Sequence, residues 1–154
     1  MAQALDIALM RRAVALARAR LGLTGDNPAV GCVIATPAGE ILGEAATAEG
    51  GRPHAEEQAL AIAGARAKGA TVYVTLEPCG ERTSGGASCA ERLALAGVAR
   101  VAVACEDPSP KASGLGSERL RAAGVPIESG LLAQEAAPLY AGYLARLASG
   151  PASG

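Results

Sequence analysis

Three short stretches of this sequence hold side chains suited to metal-assisted chemistry: His54-Ala55-Glu56, Glu77-Pro78-Cys79, and Cys89. A catalytic zinc takes three protein ligands and keeps one coordination position open. One neutral imidazole and two thiolates fill those three places, and the thiolate charges balance the double charge of the ion. The open position accepts a water, whose pKa zinc brings towards neutrality. His54 is the one histidine of the chain, so histidine-dependent chemistry has a single candidate. Glu56 is then the residue to carry a proton from water to a leaving group. The plain alternative for Glu56 is an acid favoured at a helix start by the macrodipole. For the three ligands, the alternatives are unrelated buried side chains, or a closed structural zinc site with Cys105 as the fourth ligand.

Bringing these side chains together places demands on the elements that carry them. Residues two apart within a helix do not face one another, so His54 and Glu56 converge only if His54 stands at the helix entrance, just after Pro53. The stretch 55–67 is rich in Ala, Leu, Glu and Gln, all good helix formers. Thr71 to Leu76 alternates β-branched and apolar residues and is stopped by Pro78, which places Cys79 at a strand end. Cys89 opens a helix over 89–96 closed by Gly97, and a helix N-terminus favours thiolate over thiol.

Around these lie a helix over 2–21 ending at Gly22, strands over 29–35 and 40–45 forming a hairpin, and strands over 98–104 and 125–128. Helices are expected over 114–123 and 133–147. Strands alternating with helices predict an α/β fold, a three-layer α/β/α sandwich. The opening hairpin makes its five-stranded sheet mixed rather than purely parallel.

The 154 residues suit one domain. Half the residues are apolar, but with three Tyr and no Phe or Trp the core must be built from Ala, Val, Leu and Ile. Fourteen basic against fifteen acidic residues give no concentrated basic face, so nucleic acid is not expected as a partner. No apolar run approaches the ~20 residues of a membrane span, and the charged N-terminus lacks the apolar stretch of a signal peptide. The cytoplasm is the expected location. There, four cysteines argue for metal binding or catalysis before disulfides. Cys32 and Cys105 read as small core residues.

Zinc nucleobase deaminases carry a His-x-Glu followed by Pro-Cys-x-x-Cys. The first half fits, whereas nine residues separate Cys79 from Cys89 here. The chain resembles the deaminase domain of the bifunctional riboflavin-biosynthesis deaminase–reductases, in which a long loop separates the cysteines. The likeness runs from Asp6 to about Leu147. It includes Met10-Arg11-Arg12-Ala13, the stretch Asn27-Pro28-Ala29-Val30-Gly31-Cys32-Val33-Ile34, His54-Ala55-Glu56 and Thr75-Leu76-Glu77-Pro78-Cys79. Ala96 to Val101 and Asp107-Pro108-Ser109-Pro110-Lys111 complete it.

The resemblance implies a cytidine-deaminase-like fold over 1–148, with a flexible tail expected over 149–154; the length departs from the family, and no reductase domain is expected. The resemblance also implies Zn2+ on His54, Cys79 and Cys89, with Glu56 catalytic. The implied reaction is hydrolytic deamination of 2,5-diamino-6-ribosylamino-4(3H)-pyrimidinone 5′-phosphate to 5-amino-6-ribosylaminouracil 5′-phosphate and ammonia, by a homo-oligomer, a dimer. Asn27, Ala55, Arg82 and Asp107 would contact the substrate, the Asp107 loop near its ribose phosphate. Read without the resemblance, Asn27 and Asp107 are equally turn residues. Arg82 is either a solvated loop charge or a phosphate ligand.

One departure is the cysteine loop. The family's usual Cys-Ser-His-x-Gly-Arg/Lys-Thr-Pro-Pro-Cys is one residue longer here, with Glu81 in place of its histidine. Two other readings stay open: a deaminase of another free base or nucleotide (cytosine, dCMP, guanine), or a non-catalytic zinc-binding homologue.

Overall fold

The computed structural model describes residues 4–80, 87–108 and 114–149. Among them five strands form one mixed sheet in the order β2-β1-β3-β4-β5. Strands β1 (Gly31–Ala35) and β2 (Ile41–Ala46) make the expected antiparallel hairpin. β1 also runs antiparallel to β3 (Thr71–Leu76), while β3, β4 (Arg100–Cys105) and β5 (Ile127–Ser129) are parallel to one another. β3 is buried along its whole length, as a strand covered on both faces must be.

Two glycines show how closely the two helical layers press on the sheet. Gly31 shares a face of β1 with Val33 and Ala35, and a Cβ there would lie 1.9 Å from the Ala13 carbonyl oxygen of α1 (Ala4–Arg18). Gly43 pairs with Ile34 and so points to the opposite face. A Cβ there would lie 2.4 Å from the Ala59 carbonyl oxygen of α2 (Ala55–Ala63). α1 buries Asp6, Leu9, Met10, Ala13, Val14 and Ala17, a stripe at helical spacing. Gly31→Ala is expected to destabilise the fold by about 3 kcal/mol, the upper end for overpacking against atoms that cannot swing aside. For a chain of this size that is a fall of roughly 10 °C in Tm by calorimetry. An unchanged Tm would mean that α1 does not lie this close to β1.

On the α1 face, the Asp6 carboxylate accepts from Tyr73 Oη at 2.5 Å and from Arg100 Nη1 and Nη2 at 3.2 and 2.9 Å, joining α1 to β3 and β4. Thr75 Oγ1 accepts from the Gly31 N–H at 3.0 Å and shares a hydrogen bond of 2.6 Å with Tyr140 Oη. The opposite face carries α2, which touches α3 (Cys89–Leu95), which in turn packs on α4 (Leu115–Ala122).

Two expected helices are broken. That over 55–67 ends as an α-helix at Ala63, because Gly64 takes a φ of 58°, and goes on as a 3-10 turn, Gly64–Ala67. That over 133–147 divides into α5 (Ala133–Ala136), a 3-10 turn (Ala137–Tyr140) and α6 (Ala141–Ser149). Pro138 has no N–H to give to an i−4 carbonyl, so the helix interior cannot continue through it. Arg11 and Arg12 are surface charges, paired with Glu135 and Glu44. Of the tail expected over 149–154, Ser149 closes α6 and residues 150–154 lie outside the described residues. Among the described residues no helix is long and apolar enough to cross a membrane.

Candidate metal centre

Three element ends meet on the α2 side of the sheet. His54 is the residue before α2, with extended backbone (φ −70°, ψ 160°), so it stands outside the helix as its convergence with Glu56 requires. The entrance is fixed by Glu57, whose Oε2 accepts from the His54 N–H at 2.9 Å and which also pairs with Arg92 at 3.7 Å. Glu57 thereby satisfies a donor that the helix start would leave unpaired. Cys79 follows β3, and its carbonyl accepts from the Ala90 N–H at 3.1 Å. Cys89 is the first residue of α3, where Ser88 Oγ caps the helix by accepting from the Glu91 N–H at 3.1 Å.

The ligand atoms of His54, Cys79 and Cys89 all lie within 4.8 Å of one another. His54 Nδ1 is 3.4 Å from Cys89 Sγ, and the Cys89 N–H donates to Cys79 Sγ at 3.3 Å. Hydrogen bonding from Cys89, opposed by burial and aided by His54, brings the Cys79 thiol down to about 4. A thiolate is the form that binds metal. The two sulfurs, one imidazole nitrogen and their mutual spacing fit a tetrahedral zinc with one position left over.

The other cysteines stay out of the cluster. Burial raises the Cys32 thiol well above its ordinary range, and Cys32 is a core residue of β1. Burial likewise raises the Cys105 thiol, whose Sγ donates to the Ala133 carbonyl at 3.7 Å. Among the described residues the ligand atoms that converge are those of His54, Cys79 and Cys89 and not that of Cys105, so the closed-site alternative finds no support.

Glu56 is buried in the first turn of α2, 4% exposed. Burial pushes its carboxyl up to about 7, against the opposing pull of His54, with Cys79 adding to the rise. The carboxyl is therefore close enough to both ligands for their charges to act on it. Ala55 lies between His54 and Glu56, fully buried.

The residues expected to touch substrate stand on neighbouring loops. Asn27 Nδ2 donates to the Gly51 carbonyl at 2.9 Å, tying the loop after α1 to the segment three residues ahead of His54. Asp107 follows β4, is 8% exposed, and accepts from Tyr143 Oη of α6 at 3.1 and 3.3 Å. Arg82 lies outside the described residues, as does Lys111. Sequence reasoning gave no role to Glu77 or Tyr143. Both act on a segment some 30 residues or more away, and a carboxylate bound to backbone N–H groups leaves no spacing to detect.

The profile of the cytidine and deoxycytidylate deaminase zinc-binding region matches residues 3–105. The riboflavin biosynthesis protein RibD of Escherichia coli (strain K12) is 47% identical over 143 residues, 92% of this chain and 38% of that protein. A protein of Buchnera aphidicola, named diaminohydroxyphosphoribosylamino-pyrimidine deaminase, is 39% identical over 147 residues, covering 94% of this chain and 97% of that one. In structure the chain is similar to Acinetobacter baumannii RibD, with a TM-score of 0.87 and 42% identity over 94% of this chain and 40% of that one. The chain thus spans about two fifths of the length of the RibD proteins it matches. With its cytidine-deaminase-like sheet and its converging imidazole and cysteine sulfurs, this chain belongs to the zinc-binding cytidine and deoxycytidylate deaminase family and, within it, to the riboflavin-biosynthesis deaminases.

Proposed function

We propose that this protein hydrolytically deaminates 2,5-diamino-6-ribosylamino-4(3H)-pyrimidinone 5′-phosphate, giving 5-amino-6-ribosylaminouracil 5′-phosphate and ammonia. The observation that carries the reading is the buried Glu56 carboxyl beside the converging His54, Cys79 and Cys89 side chains. The near full-length likeness to a relative named for a diaminopyrimidine deaminase supports the choice of substrate.

His54, Cys79 and Cys89 would hold the zinc, which when bound supplies Lewis acidity that makes water nucleophilic near neutral pH. Glu56 takes a proton from the water that adds to C2 of the pyrimidine. It returns that proton to the 2-amino group, which leaves as ammonia, so C2 gains an oxygen and loses a nitrogen. Ala55, without a bulky side chain, leaves the ring room between ligand and proton carrier. Asn27 and Asp107 bind the nucleotide, and Arg82 meets its phosphate. Residence in the cytoplasm and a homodimer belong to the same proposal, the dimer open to light scattering on the purified protein.

The test is ammonia release from the pyrimidinone nucleotide beside dCMP, cytosine and guanine. The expected result is a kcat/KM for the pyrimidinone nucleotide about 100-fold or more above the rest, since a site built to pair with a substrate's polar groups rejects analogues lacking them by at least that factor. Preferential turnover of dCMP, cytosine or guanine would overturn the substrate assignment, and no turnover of any would favour a non-catalytic homologue.

A further inference from the structure

Glu77 is a buried carboxylate, 4% exposed, that the deamination chemistry does not use. Its Oε1 accepts from the backbone N–H groups of Asp107 at 3.3 Å and Gly114 at 3.2 Å. Its Oε2 accepts from the N–H and the hydroxyl of Ser117, each at 3.2 Å. The first turn of a helix leaves N–H groups without intrahelical partners. α4 is preceded by Gly114, which has no side chain to serve them. Glu77 supplies that cap from a distant strand end, and its charge suits the positive end of the helix.

The same oxygen that receives Gly114 receives Asp107, so both ends of the segment joining β4 to α4 are drawn to one point. The surrounding fit is close: a Cβ on Gly116 would lie 1.9 Å from the Pro78 carbonyl oxygen. Glu77 stands two residues before Cys79, and its own N–H donates to the Cys105 carbonyl at 2.9 Å.

We propose that Glu77 is a positioning residue for the substrate. Its carboxylate fixes Asp107 and the first turn of α4 against the strand end that carries Cys79. The phosphoribosyl end of the nucleotide is thereby held at a set distance from the metal ligands. This rests on Asp107 being a substrate residue, as proposed above. A glutamine at 77 keeps the shape but turns N–H donors towards donors that already point inwards.

The experiment is steady-state kinetics with the pyrimidinone nucleotide on E77Q, D107N and the double variant, with zinc content measured on each. Loss of hydrogen bonds to a buried charge predicts a KM raised about tenfold in E77Q, with kcat within about threefold and zinc content unchanged. If Glu77 acts through Asp107 the effects are not additive, and E77Q adds less than about twofold to the KM of D107N. A fall in kcat with KM unchanged, or additive effects on KM, overturns the proposal. A raised KM in D107N with none in E77Q overturns the role of Glu77 and spares that of Asp107. An unchanged KM in D107N removes the reading of Asp107 and this one with it. Should E77Q not fold, S117A deletes one donor from the same carboxylate. It is then expected to raise KM about two- to threefold, and no rise overturns the proposal.

Discussion

His54→Ala is expected to purify with less than about 0.1 zinc per chain and to lose deaminase activity by about 10,000-fold or more. A metal Lewis acid supplies several kcal/mol of transition-state stabilisation, and each ~1.4 kcal/mol is tenfold in rate. No other histidine exists in the chain to take over the position. Cys79 and Cys89 would be left as two sulfurs, one donor short of the three that a catalytic site uses. The loss extends to stability. Any species that binds the folded chain and not the unfolded one stabilises the former, and this site exists only when three element ends have met. The wild type should therefore lose Tm on chelation, and the variant should start low and respond little. Elemental analysis of the purified proteins checks the first part, calorimetry with and without chelator the second. A variant that keeps a full zinc complement would remove His54 from the ligand set.

The elements that carry this centre were largely legible because each has a local cause. Val and Thr alternation over 71–76 marks β3 to the residue, and Pro53 and Gly97 punctuate α2 and α3 near the observed ends. The ligands were legible because type and order constrain them: one histidine, and two cysteines placed where a strand stops and a helix starts. What escaped is set by tertiary contact. Nothing local places β1 between β2 and β3, an order that depends on Gly31 and Gly43 admitting a helix on each face. Asp6 reads as an acidic residue in the first turn of a helix, yet it is buried by Tyr73 and Arg100, 67 and 94 residues on. Glu77 looked like a polar residue ending a strand, and among the described residues its donors come from the loop after β4 and the start of α4. Pro138 was visible, but the α-helical character on both sides of it masked the break.

Glu56→Gln is expected to keep its zinc and its fold and still lose about 100- to 10,000-fold in kcat, the range that a positioned proton carrier contributes. The amide matches the carboxyl in size and lies in the first turn of a well-capped helix, so His54 keeps its place. What goes is the capacity to accept a proton from water and release it to the departing amine. The substitution separates chemistry from metal binding, because Glu56 is not one of the ligand atoms that cluster within 4.8 Å. It also relieves the fold of a burden. Burial holds the metal-free carboxyl at about 7, above its ordinary value, so the charged form is disfavoured inside the protein. Relative to metal-free Glu56→Gln, the metal-free wild type should lose stability as pH rises from the unfolded value through about 7; the opposing gain from the lowered Cys79 thiol is common to both proteins and drops out of the difference. A low kcat at full zinc occupancy, together with a metal-free Tm that gains on the wild type over that interval, would place the defect in proton transfer. Near wild-type turnover in Glu56→Gln would mean that another group moves the proton, and Glu56 would return to being a buried acid at the start of α2.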